Sequence, residues 1–184
     1  MHIVDLRSDD ESAIRQVAAL LVEGFATNWP GAWPDLESAL EEVHESFAAG
    51  RISRVAQDSD GTVLGWVGGI SHYRGHVWEL HPLVVRVSQQ GQGIGRALVA
   101  DLEERVRERG GLTITLGTDD VAGQTTLAGI NLFPHVWEHV AHIKNLSRHP
   151  YEFYQKLGYI IVGVMPDANG LGLPDILMAK SVVR

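Results

Sequence analysis

The chain has 184 residues, 45% of them hydrophobic, a formal net charge of −8 and no cysteine. That length suits one domain with a full core, and the lack of cysteine excludes disulfides, thiolate nucleophiles and thiolate metal sites. The acidic balance argues against a nucleic-acid partner, which needs clustered lysine and arginine, and leans towards cationic ligands. No apolar run approaches a membrane span, and Met1-His2-Ile3-Val4-Asp5 has neither the basic start nor the apolar stretch of a signal peptide. A cytoplasmic protein with no membrane partner is therefore expected.

Residues His2 to Leu6 alternate as a short first strand. Ser8-Asp9-Asp10-Glu11 has the form of a capping box, and Ile14, Val17, Ala18 and Leu21 recur at helical spacing, which predicts a helix to about Gly24. From Phe25 to Pro34, the residues Trp29, Pro30, Trp33 and Pro34 preclude a helix and leave a loop rich in indole rings. Asp35 caps a second helix through Leu36, Leu40, Val43 and Phe47, ending at Gly50. Arg51 to Gln57 and Thr62 to His72 read as strands joined by the turn residues Asp58-Ser59-Asp60-Gly61. Gly65, Gly68 and Gly69 interrupt the second of these strands, where glycine weakens pairing unless something approaches its backbone, and a bulge is the modest explanation.

Trp78-Glu79-Leu80-His81-Pro82-Leu83-Val84-Val85 is apolar and β-branched with polar residues interleaved, and is expected to pair beside that strand. The run Gln90-Gly91-Gln92-Gly93-Ile94-Gly95-Arg96 follows, and Leu98, Leu102 and Val106 then mark a helical face. Strand, glycine loop and helix make a phosphate-binding geometry, since the backbone can come close to a pyrophosphate and the first helical amides point at it. The spacing is not that of a dinucleotide fingerprint, and no Lys-Ser or Lys-Thr follows to make a nucleoside triphosphate loop. A tight turn packed through its glycines is the plain alternative. Leu112 to Leu116 is the next strand, which predicts a right-handed parallel crossover.

Thr118 to Gly129 is small and polar, hence loop, and Asp119 and Asp120 stand at a strand's carboxyl end, where sites in open α/β sheets gather. Adjacent carboxylates there suit a polyamine-like cation and equally the capping of a turn. His135, His139 and His142 share helical spacing, but without a His-Glu-x-x-His order or a carboxylate pattern no metal site is expected. Pro150 and Gly158 bracket a helix over Tyr151 to Leu157, and Tyr159 to Val164 and Ile176 to Val183 are the last strands.

The glycine run resembles the Gln/Arg-x-x-Gly-x-Gly/Ala signature of the GNAT acyltransferases. From about Gly65 to Lys180 the chain is similar, in order and spacing, to one GNAT branch, the chromosomal dimeric aminoglycoside 6'-N-acetyltransferases. The landmarks are Trp78 to Val85, Arg109 to Asp120, His149 to Tyr159, Val162 to Gly170 and Pro174-Asp175-Ile176. This resemblance implies a single GNAT domain over residues 1–184, with an α/β fold whose central mixed sheet is splayed at strand 4 and has helices on both faces. It implies acetyl-CoA as cosubstrate and transfer of its acetyl group to the 6'-amino group of a cationic aminoglycoside, by direct attack in a ternary complex. It also implies a homodimer and a part in antibiotic resistance. The alternatives are an acetyltransferase for another small amine, a polyamine or a protein lysine, and a non-catalytic acyl-CoA-binding sensor.

Acetyl transfer needs a deprotonated amine, alignment, a donor for the oxyanion and an acid for the thiolate. Glu79 and His81, two apart on a strand, point to one face. By the resemblance both lie beside the acceptor amine, Glu79 as general base or electrostatic anchor and His81 as accessory. Pro82 cannot donate a ladder hydrogen bond, so the sheet should be open or bulged there. The resemblance admits the pantetheine arm at that place, with the Leu83 amide as oxyanion donor, Val84 and Val85 continuing the contacts, and Gln90 to Arg96 holding the pyrophosphate. It makes Tyr154 the donor of a proton to the leaving thiolate, with Tyr151 the lesser candidate, and puts Trp29, Glu79, Asp119 and Asp120 on the acceptor. Where relatives carry a further acidic residue, Val121-Ala122-Gly123-Gln124 is neutral.

Overall fold

Asp10 and Asp35 set the starts of the first two helices. The Asp10 carboxylate accepts the Ala13 amide at 2.9 Å and opens α1 (Glu11–Phe25), and that of Asp35 accepts the Ser38 amide at 2.9 Å and opens α2 (Leu36–Glu45). Each satisfies an amide that a helix start leaves without an internal partner. The cap expected at Ser8 thus falls two residues later, where it places Ala13 and Ile14 in the buried face. The computed structural model describes residues 1–183, and the chain forms two compact units: Met1–Ile114 with the end of the chain from Val182, and Thr115–Ser181.

In the first unit β1 (His2–Asp5), β2 (Arg51–Gln57), β3 (Val63–His72) and β4 (Val77–Val85) lie in that order, each antiparallel to the next. α1 and α2 cover one face around Trp66, which is fully buried among Ile14, Val17, Leu21, Val43, Val55 and Val84. α3 (Ile94–Glu108) lays Leu98 and Leu102 on the other face. The strand glycines allow that approach: a Cβ on Gly65 would come 3.0 Å from Leu98 Cδ1, and one on Gly69 would come 2.8 Å from Leu102 Cδ1. Burying each leucine contributes about 1.5–3 kcal/mol. Arg54 ties the layers together, its guanidinium donating to Asp101 at 2.7 and 3.0 Å and to Asp5 at 2.6 Å.

The alternation along β4 changes face at Pro82. Val67 pairs with Leu83 and Gly69 with Leu80, so Gly68 alone stands opposite both His81 and Pro82. Proline has no amide to give the ladder, and a bulge takes up the extra residue. The His81–Pro82 peptide bond is cis. Because a one-residue slip exchanges the two sides of a strand, Glu79, opposite Ile70, and Val84, opposite Trp66, both face α1 and α2, whereas Leu80, opposite Gly69, faces α3.

A Cβ on Gly68 would collide with the His81 carbonyl oxygen, which is backbone and cannot swing aside. Gly68→Ala is therefore expected to destabilise by about 1–3 kcal/mol, a fall in Tm of roughly 2–12 °C for a chain of this size. Thermal unfolding followed by circular dichroism measures it; an unchanged Tm would mean that the bulge has room for a side chain.

The second unit takes in β5 (Thr113–Asp119) from Thr115 onward, then α4 (Val136–Ala141), α5 (Tyr151–Gln155), β6 (Ile160–Met165) and β7 (Asp175–Ser181). Its strands lie in the order β5, β7, β6, with β6 and β7 antiparallel. α5 stops short of the expected Leu157: the Leu157 amide turns to the Tyr154 carbonyl at 2.9 Å, and Gly158, at φ +90°, takes the left-handed turn that follows. Of the three histidines at helical spacing only His139 lies within α4, behind a 3₁₀ turn over Phe133–His135. Among the described residues no group of three His, Asp or Glu side chains could hold a metal ion, and no helix is long and apolar enough to cross a membrane.

Candidate functional site

Where β4 approaches its bulge, two acid–histidine pairs form. His72 Nε2 lies 2.9 Å from Glu79 Oε2, a diagonal contact between β3 and β4, and His81 Nε2 lies 3.8 Å from Glu42 Oε2 on α2. The Trp33 ring sits 6.1 Å from the His81 ring and meets Phe25 edge to face at 4.6 Å. Glu79 and His81 share a face, as their spacing predicts, and they are joined there by Glu42 and His72, which no sequence signal marked, and by Trp33 of the indole-rich loop. Trp33 is the indole set against His81, and Trp29 of the same loop is half-buried. Burial acts to lower the pKa of His81, but the nearby carboxylate of Glu42 and the charge of Glu79 outweigh burial and the opposing Arg51, and the pKa is raised. His81 therefore keeps its proton more firmly than an ordinary histidine. Aromatic faces and carboxylates so arranged suit a cationic amine.

Beyond the bulge the backbone takes over. The Arg86 amide donates to Leu64 of β3 at 2.8 Å, so by the antiparallel alternation the Val84 amide also turns towards β3, while those of Leu83 and Val85 turn away from it. Of the three residues expected to meet the pantetheine arm, Leu83 and Val85 thus turn their amides to the side away from β3, and Val84 turns its own towards it. The Arg86 guanidinium clasps the Val63 carbonyl at 2.7 and 3.1 Å and fixes the base of the glycine loop. Gln90 Nε2 donates back to the Val85 carbonyl at 3.2 Å.

α3 begins unlike α1 and α2. Its N-cap is Gly93, at φ +86°, with no side chain capping it and no acidic residue in its first turn. The first helical amides, from Ile94 to Arg96, and the positive end of the helix dipole are left for an anion. Gly91, at φ +77°, repeats the left-handed geometry that the loop requires.

In the second unit Tyr154 is buried on α5, its ring 5.1 Å from Phe153 and 5.7 Å from Tyr159. Burial raises the pKa of its hydroxyl, which keeps the phenol neutral and able to donate a proton. Tyr151, the lesser candidate, is also buried. The adjacent aspartates diverge. Asp119 is half-buried, and its Oδ1 accepts from Asn169 Nδ2 at 2.5 Å. Asp120 is 0% exposed, its carboxylate taken up by the Gln124 amide at 2.5 Å and the Thr125 amide at 2.7 Å. Of the two roles open to Asp120, its geometry is that of a turn cap, because both oxygens bind the loop that follows. Two cavities in this unit, about 480 and 500 Å³, are lined by Thr126, Glu138, His139, His142 and Lys144 and by the segments around Ile130 and Leu171, away from the expected site residues.

Residues 17–133 match the model of a family described as Acetyltransferase (GNAT) family. The crystal structure of an aminoglycoside 6'-N-acetyltransferase complexed with coenzyme A is 42% identical to this chain, covers 100% of it with 98% of its own length, and has a TM-score of 0.90. The aminoglycoside 6'-N-acetyltransferase from Enterococcus faecium is likewise 42% identical, with coverage of 100% and 98% and a TM-score of 0.88. An aminoglycoside 6'-acetyltransferase type Ii is 38% identical, with coverage of 100% and 99% and a TM-score of 0.75. No curated protein matched the chain.

Proposed function

Because the chain belongs to the acetyltransferase (GNAT) family, we propose that it transfers the acetyl group of acetyl-CoA to the 6'-amino group of an aminoglycoside, by direct attack in a ternary complex. The observation that carries this reading is the order of parts along one stretch: Glu79 and His81, the bulge at Pro82, amides at Leu83 and Val85 that turn away from β3, then a helix start with neither side-chain cap nor carboxylate. Identity of 42% over the whole chain to an enzyme of that activity, complexed with coenzyme A, supports the cosubstrate and the acceptor class.

The neutral amine nitrogen attacks the thioester carbon, and the carbonyl electrons move onto oxygen, where the Leu83 amide stabilises the charge. Collapse breaks the carbon–sulfur bond. The sulfur leaves with the proton of Tyr154, the amine's surplus proton goes to Glu79, directly or through water, and exchange with solvent resets both groups. The products are the amide and free CoA thiol. Glu79 is assigned as the base, and His81, its pKa raised by Glu42 and Glu79, as the accessory residue beside it. Trp33, Trp29 and Asp119 contact the acceptor, while Asp120 shapes the loop behind it. The reaction takes place in the cytoplasm, where acetyl-CoA is available.

The test is release of CoA thiol with kanamycin-like and tobramycin-like acceptors beside polyamines and lysyl peptides. Turnover with aminoglycosides, and an N-acetyl group at the 6'-position by mass spectrometry and NMR, is expected. Turnover of another amine alone would leave the fold and remove the substrate.

The protein acts as a homodimer. Phe133, Trp137 and Ile160 are 70%, 67% and 66% exposed on a unit in which α4 packs against the outermost strand β6, and such apolar surface beside a strand edge marks an interface. Light scattering is expected to give the mass of two chains, and that of one chain for Trp137→Glu; a monomeric parent protein would overturn this.

A further inference from the structure

His149 has no part in the chemistry above, yet it is only 2% exposed and every polar group it carries is engaged. Its backbone is clamped by Asn145, whose Oδ1 accepts the His149 amide at 2.8 Å and whose Nδ2 donates to the His149 carbonyl at 2.9 Å. The ring reaches in two directions. Nε2 lies 3.2 Å from the carbonyl oxygen of Asp119, the last residue of β5, and Nδ1 lies 3.3 Å from the amide of Tyr151, the first residue of α5.

These partners settle the protonation state. A carbonyl oxygen can only accept, so Nε2 must carry a hydrogen; the Tyr151 amide can only donate, so Nδ1 must be bare. An imidazolium cannot make both bonds. The Asp119 and Asp120 carboxylates favour a proton on the ring, while burial opposes it and prevails, so the pKa is lowered below the ordinary 6.5; from α5 the ring faces Tyr151, at 5.6 Å.

We propose that His149 is a positioning residue which, as the neutral Nε2–H tautomer, pins the first turn of α5 to the carboxyl end of β5 and thereby sets the location of the Tyr154 hydroxyl three residues further on. This deepens the reading of Tyr154 as proton donor and rests on it. α5 runs only from Tyr151 to Gln155, too short to hold its own position, so an anchor in its first turn fixes where Tyr154 points.

Two experiments decide it. Long-range nitrogen–proton correlation NMR on the unaltered protein is expected to show a bare Nδ1 and a protonated Nε2 for His149, persisting as the pH falls through 6.5. An Nδ1–H tautomer, or a ring already doubly protonated at pH 6.5, overturns the proposal whether or not any variant folds. In kinetics, His149→Phe is expected to lower kcat by about 10- to 100-fold, the scale of an ångström's misplacement of a reacting group, with acetyl-CoA affinity unchanged and partial recovery in His149→Gln, which restores a donor and an acceptor.

Tyr154→Phe and the double variant complete a cycle. If His149 acts through Tyr154, the double variant is no slower than Tyr154→Phe alone. Additive losses, or a His149→Phe variant with full kcat, remove the positioning role and leave Tyr154 as the acid. Full activity in Tyr154→Phe removes the proton-donor reading, and the proposal with it.

Discussion

Glu79→Gln is expected to lower kcat for acetyl transfer by roughly 10²-fold or more at neutral pH, within the 10²–10⁴-fold that a positioned acid or base contributes. Glutamine keeps the size of the side chain and can still meet His72, which lies 2.9 Å from Glu79, so the local packing of β3 against β4 survives. What is lost is the negative charge that takes the amine's proton. Acetyl-CoA affinity should be unchanged, because the residues proposed to hold it lie beyond the bulge. The variant should also recover with rising pH: once no group removes the proton, the rate follows the fraction of acceptor that is already a free amine. Initial rates from pH 6 to 10 beside equilibrium binding of CoA make the measurement; an unchanged kcat at pH 7 would end the role of Glu79 as base. Leu83→Ala, by contrast, should do little, since the proposed oxyanion donor is backbone.

Gly93→Ala is expected to weaken acetyl-CoA binding by about tenfold, through backbone geometry rather than crowding. Nothing lies within 4 Å of a Cβ built on Gly93, so a methyl group would fit in space. Its φ of +86° is the obstacle, since an L-residue in the left-handed region costs about 1–2 kcal/mol. If the loop relaxes to a conformation that alanine tolerates, the first amides of α3 lose their aim at the pyrophosphate, and 1.4 kcal/mol is a factor of ten in Kd. Gly61 supplies the control: it has the same φ of +86° and the same open surroundings, in the turn between β2 and β3. Gly61→Ala should lower stability by a similar amount and leave the Kd for acetyl-CoA alone. Equal Kd values for the two variants by calorimetry would show that the Gly93 loop does not hold the cofactor.

Among the described residues α3 is the one α-helix whose first turn lacks a carboxylate, and the glycine loop that opens it was legible in the sequence because its signal is local. Asp35 ahead of a periodic apolar run, alternation along Arg51 to Gln57, a proline inside β4 and glycines before Ile94 each act on the backbone within a few residues, and each has a single cheap structural answer. The same locality made the capping of α1 ambiguous, since Ser8 and Asp10 carry equally good side chains two positions apart and only the fit of Ala13 and Ile14 into the core selects Asp10. Asp120 shows the limit of a residue type read without its surroundings: a carboxylate after a strand describes a ligand contact and a turn cap alike, and two amide partners on the following loop distinguish them.

By itself the sequence determined the order of the strands and of every α-helix but α4, the break in β4 at Pro82 and the unguarded start of α3, because those depend on which backbone conformations a residue permits. Tertiary structure alone decided that Trp33 and Glu42 attend His81, that His72 meets Glu79, that Leu83 and Val85 rather than Val84 turn their amides away from β3, and that His149 joins β5 to α5. Those relations join residues far apart in the chain or depend on the parity of a register that one bulge reverses, and the pattern along a single strand or helix holds no record of what will be packed against it.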